Sequence, residues 1–201
     1  MPDNPSLPER RSALVRIAAL IDRVLGWLER ASLAIACLAL VAIMTLIFLD
    51  GSLRYIANSP LVFAVDVVNL YLISAAFLLV LSYTLRHGGH ISVDVFAHAM
   101  SDRVQALVVG IGLLCASPVV AVMAYEMTHL SMESWEMGEV QVGVYAMPLW
   151  LSKAIVAFGM VLLFLRVLHL GVFNFLSGVT GNKALAYPIL PMPEHAEEEM
   201  V

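Results

Sequence analysis

Residues 31–49 read ASLAIACLALVAIMTLIFL, nineteen positions without a charge. A helix rises about 1.5 Å per residue, so this stretch covers roughly the 30 Å of a bilayer's hydrocarbon core. Three more stretches resemble it. Residues 67–85 and 104–125 carry no charge either, and residues 145–165 carry one, Lys153. Inside a membrane the protein itself must satisfy every backbone polar group, which restricts spanning structures to helices and closed barrels. Barrel strands are short and alternate in polarity, and these stretches do neither. The sequence therefore predicts an all-α integral membrane protein with four transmembrane helices over residues 31–170.

Composition agrees: 61% of the 201 residues are hydrophobic, 13% are charged, and the mean hydropathy is +0.88. That balance fits one membrane domain and excludes an ordinary soluble one. The net charge of −5 is spread unevenly, with no basic face gathered for nucleic acid. Cys37 and Cys115 fall within spans and lack metal or CxxC spacing, so they are expected to act as small packing residues.

The basic residues set an orientation. Arg10, Arg11, Arg16, Arg23 and Arg30 precede the first span, Arg86 and Arg103 lie in the second connection, and Arg166 and Lys183 come after the fourth span. Only Arg54 falls on the other side, because residues 126–144 hold no lysine or arginine. The positive-inside rule then puts both termini and the central connection in the cytoplasm, in a multi-pass arrangement.

Residues 1–11 are expected to be a disordered N-terminus and residues 12–30 an amphipathic interfacial helix preceding the spans. Leu14, Ile17, Leu20, Ile21, Val24, Leu25 and Leu28 fall on one side at helical spacing, with Arg16, Asp22, Arg23, Glu29 and Arg30 on the other. Such a helix suits membrane lipids, with Trp27 at headgroup depth, or a partner protein. Asp22 and Arg23 interrupt the apolar run and no small-residue cleavage site comes after it, so the segment is expected to be retained rather than removed as a signal peptide. Residues 171–201 are expected to be a cytoplasmic tail, largely disordered, rich in proline and glutamate from residue 187.

Between the second and third spans stands Arg86-His87-Gly88-Gly89-His90-Ile91-Ser92-Val93-Asp94. Arg86 would end a helix at its partly negative C-terminus, and the glycines would let the chain leave it. Ser92 or Asp94 would then cap a second, short helix, Asp94 being also free to pair with Arg86. The two histidines of this corner are three apart with no matched pair in a facing span, which argues against haem. Asp66 and Lys153 are the charges lying well within the spans. Their similar depth allows an ion pair between spans two and four; the alternatives are that Lys153 snorkels to the interface or that the two belong to a cation or proton relay. Glu126, Glu133, Glu136 and Glu139 make the third connection acidic. It is either a solvated loop or a docking surface for a partner protein on the outer side. Gly110, Gly112 and Gly159, with Ala116, Ser117 and Ala157, would permit close helix contacts, and Pro118 is placed to kink the third span.

Arg86, Gly88 or Gly89, then His90-Ile91-x-Val93-Asp94 resembles the signature of the small membrane subunit of TRAP (tripartite ATP-independent periplasmic) transporters, the DctQ family. Arg54-Tyr55, Pro60 with Asp66, and Pro148-Leu149-Trp150 extend the likeness over roughly residues 25–170, although the family commonly has tryptophan and glutamate where this chain has Phe63 and Asp66. The resemblance implies a non-catalytic subunit without cofactor or metal. Its partners would be a large membrane subunit that carries the substrate and sodium sites and a periplasmic substrate-binding protein that delivers an organic acid. Glu133, Glu136 and Glu139 are then the candidate docking residues. The alternatives are the small subunit of a tripartite tricarboxylate transporter, or a haem-binding membrane anchor of a redox enzyme.

Overall fold

The computed structural model describes residues 7–88, 101–143 and 145–181, the side chains of residues 7–14 and 102 excepted. The elements run α1 (Leu7–Ile56), α2 (Val62–Val67), a π-helical turn (Val68–Leu72), α3 (Ile73–Leu78), α4 (Leu81–Arg86), α5 (Asp102–Glu136), β1 (Val140–Gln141), β2 (Met147–Pro148) and α6 (Leu149–Thr180). Four helical stretches among the described residues are long and apolar enough to cross a membrane: Val15–Ile56, Val62–Arg86, Arg103–Glu136 and Leu149–Thr180. The protein is an all-α membrane protein with four spans. The second span is the broken one, with the π turn between α2 and α3 and a further turn at Leu79 and Val80 before α4.

α1 passes through residues 30 and 31, where the sequence suggests a boundary, without interruption. Its apolar part is 42 residues long, about 63 Å of helix and twice the hydrocarbon thickness. The sequence also suggests that Asp22 and Glu29 belong to an outward polar face. The structure turns both inward and leaves Ile17, Leu20, Ile21 and Val24 exposed. The reason is the solvent: against lipid an apolar face gains nothing by turning inward, whereas a carboxylate gains a hydrogen-bonding partner.

The chain forms two compact units, to both of which α1, α4, α5 and α6 contribute. The first comprises Met1–Val24, Thr84–Ala116 and Arg166–Val201. In it α5 and α6 approach closely. A Cβ on Gly110 would come within 2.5 Å of the backbone nitrogen of Phe175, and Gly171 and Gly178 lie against Leu113, Leu114 and Leu107. Without side chains at these points the helix backbones can touch, the usual means of close packing between membrane helices. Ala18 of α1 packs on Phe173, flanked by Val15 and Leu176.

The second unit comprises Leu25–Tyr83 and Ser117–Leu165. Its core is four small residues, Ala36 and Ala39 of α1 with Ala75 and Ala76 of α3, packed with Leu79. Gly159 of α6 brings that helix against the carbonyl of Leu78, which a Cβ would meet at 2.9 Å. The first connection is closed by Asp50, whose carboxylate accepts from the backbone nitrogen of Leu61 at 2.7 Å and from Arg54 at 3.0 Å. Gly112 has open space around it, and Ala116 is exposed while Ser117 and Ala157 are buried, so the small residues divide between contact and lipid faces. Cys37 and Cys115 are exposed free thiols rather than packing residues.

Candidate functional site

Among the described residues, three polar clusters join helices or connections. In the first unit, Asp22 of α1 accepts from Arg86 of α4 through one oxygen and from Arg166 of α6 through the other, each at 2.7 Å. Arg166 is fully buried, Asp22 is mostly so, and Arg86 keeps part of its surface open. One carboxylate thus ties three helices, with charge-assisted bonds that have no competing water at Arg166. The same unit buries His169, whose ring packs on Phe173, and Asn174, whose side-chain nitrogen donates to the carbonyl of Leu170.

In the second unit Glu29 is fully buried and accepts from the hydroxyl of Ser82 at 2.5 Å, with the carbonyl oxygen of Leu162 3.4 Å from the same hydroxyl. This cluster joins α1, α4 and α6.

The third cluster closes the connection from α5 to α6. α5 ends at Glu136 and the chain leaves it through Gly138 at φ +61, with the backbone nitrogen of Gly138 donating to the carbonyl of Trp135 and that of Glu139 to the carbonyl of Ser134. These are the bonds of a glycine-terminated helix end, which return the chain toward the helix it has left. β1 and β2 then pair antiparallel, Val140 opposite Pro148 and Gln141 opposite Met147. The carboxylate of Glu139 accepts from Lys153 at 2.6 Å and from Ser134 at 2.8 Å. Those bonds, Lys153's first and Ser134's second, hold the Glu139 carboxyl below the ordinary carboxylate range against partial burial, which acts the other way. Tyr71 donates to the carbonyl of Pro148 and Ser131 to that of Trp150, so the connection is pinned on both sides.

The expected pair of Asp66 with Lys153 is therefore not what the structure contains. Helix register explains the difference. Ser152 donates to the carbonyl of Leu70, Gly159 meets Leu78, and Leu162 lies by Ser82, a steady offset of about 81 between α6 and the second span. Lys153 consequently falls level with Leu72, six residues or about 9 Å beyond Asp66. Glu139 is nearer. Asp66 itself lies against Gly143 of the connection, and Phe63 meets Tyr145 edge to face.

Of the other expected site residues, Arg86 ends α4 and Gly88 adopts φ +67, as leaving a helix requires. Gly89, His90 and Asp94 lie outside the described residues, and so does the suggested bond from Asp94 to Arg86. Glu136 is exposed, and Glu133 stands 4.0 Å from His129 one turn earlier. Asp22, Glu29, Ser82 and Arg166 are the residues that sequence reasoning missed. Arg166, directly after the 21-residue stretch 145–165 whose one charge is Lys153, was the available signal. Among the described residues no group of three or more His, Cys, Asp or Glu is gathered to hold a metal ion.

A family model described as the DctQ component of tripartite ATP-independent periplasmic transporters matches residues 43–174, well over half of the chain. The chain belongs to the DctQ family. No curated protein and no solved structure matches the sequence. As a DctQ chain it is the small membrane component of a TRAP transporter, a transport subunit rather than a member of an enzyme family. Arg86 and Arg166 lie inside the matched stretch, whereas Asp22 and Glu29 lie before it.

Proposed function

We propose that this DctQ chain is a static scaffold in a bacterial inner membrane. It holds a large membrane subunit in place for sodium-driven uptake of an organic acid delivered by a periplasmic binding protein. The observation that carries the reading is how the charges of the helices are used. Asp22 with Arg86 and Arg166, Glu29 with Ser82, and Lys153 with Glu139 each fix one helix or connection to another. A transport site needs groups that exchange partners, whereas bonds of this kind lock an arrangement.

Both termini and the central corner lie in the cytoplasm, and residues 126–144 lie in the periplasm; the nine-to-one division of basic residues supports this orientation. The outward Arg16 and Arg23, beside exposed Ile17, Leu20 and Val24, favour the inner headgroup region for the start of α1. On the outer side Glu133 and Glu136 face the binding protein, while Glu139 serves the connection itself. The test is co-purification: a tagged chain expressed with the large subunit carries it through detergent extraction in a fixed ratio. Recovery of the tagged chain alone from cells that make both would defeat the scaffold reading.

A further inference from the structure

The C-terminal end of α5 and the N-terminal end of α6 leave a groove of about 260 Å³, lined by Ser131, Met132, Trp135, Glu136, Trp150 and Ala154. That is below the roughly 300–1,000 Å³ of small-molecule sites and suits a single side chain. The rings of Trp135 and Trp150 meet edge to face, centroids 4.5 Å apart and planes at 87°, so two indoles make adjoining perpendicular walls. Trp135 is 62% exposed and Glu136, next to it, is exposed as well.

The groove has the chemistry of a cation site. The face of an indole ring is electron-rich and attracts a cation, and a neighbouring carboxylate supplies the countercharge. Residues 126–144 hold four glutamates and no lysine or arginine, and Lys153 is engaged by Glu139 rather than Glu136. Among the described residues no basic side chain pairs with Glu136, so the negative charge beside Trp135 is open to a positive partner. A guanidinium fits best, since it stacks flat on an indole and pairs with a carboxylate through two N–H groups at once. A buried arginine against tryptophan is also the kind of contact that dominates protein interfaces.

We propose that this groove receives one cationic side chain, an arginine by preference, from the surface of the periplasmic binding protein. The assignment rests on the docking role given above.

The test uses the full complex in vesicles of phosphatidylcholine and phosphatidylglycerol, reading the binding-protein concentration that gives half-maximal uptake. Trp135→Leu and Glu136→Gln should each raise that concentration about five-fold with the maximal rate unchanged, and Trp135→Phe should restore part of the loss. The double variant should be little worse than either single one, because both contact the same cation. Co-purification with the large subunit shows that each variant is folded and assembled. If Glu136→Gln raises the concentration and Trp135→Leu does not, the groove assignment is overturned while docking through the acidic connection stands. If neither changes it, and reversing Glu133 and Glu136 together also has no effect, docking itself fails. An effect of Trp135→Leu that appears only when ethanolamine lipids are added would make a lipid headgroup the occupant and would equally overturn the proposal.

Discussion

Asp22 Oδ1 accepts a hydrogen bond from Nη1 of the fully buried Arg166 at 2.7 Å, joining residues 144 positions apart. Its second oxygen takes Arg86. Breaking a buried charge pair leaves the remaining charge poorly solvated, which costs more than the pair was worth. Asp22→Asn should therefore lower the stability of the full chain by about 3 kcal/mol, and Arg86→Gln by less, because Arg86 retains some exposure. Unfolding in detergent, followed by circular dichroism, measures both. Additive losses in the double variant would show that the two residues do not share one cluster.

Of the fold, the four spans were legible because hydropathy and length alone decide them, and the Arg86 to Gly88 corner because a glycine after a basic helix end has few other uses. The polar core was not. A helical wheel of residues 12–30 separates apolar from charged positions correctly, but it cannot say which side faces inward when the surroundings are lipid. Reading the charged side as the one turned to the headgroups gave the wrong side for Asp22 and Glu29. Lys153 was misassigned for another reason: depth counted from Tyr145 ignores the two-residue strands and the later start of α6 at Leu149, which bring Glu139 to it.

Glu139 gives the connection a pH dependence of definite sign. Its carboxyl titrates below the ordinary range when bonded to Lys153 and Ser134, so the clasp is complete above the unfolded value and is lost as pH falls through the lowered one. Fluorescence of Trp135 and Trp150 should be flat from neutral pH down through the ordinary carboxylate range and change only below it. Glu139→Gln should remove that acid transition. A transition near neutrality, or one unchanged in the variant, would assign it to another group.

The close approach of α5 to α6 makes Gly110 intolerant of even a methyl group, since a Cβ there would meet the backbone of Phe175 at 2.5 Å. Gly110→Ala should cost about 1–3 kcal/mol through forced separation of the helices. Gly112→Ala is the control. Nothing lies within 4 Å of its Cβ position, and the substitution should be neutral or stabilise the helix by about 0.5–1 kcal/mol. Thermal unfolding of the two variants side by side checks the contrast, and equal behaviour would contradict the packing.

Orientation is open to cysteine labelling in intact cells, after Cys37 and Cys115 have been replaced by serine. A cysteine at position 133 should react with a membrane-impermeant reagent, and one at position 90 should react only after permeabilisation. The reverse pattern would invert the topology and remove the docking role of Glu133 and Glu136.

The scaffold claim meets its most direct test in vesicles that contain the large membrane subunit, with binding protein and organic acid outside and an inward sodium gradient. With the chain present, uptake should follow the gradient and saturate with binding protein; without it, uptake should fall to the level of empty vesicles. Undiminished sodium-driven uptake by the large subunit and binding protein alone would contradict the account.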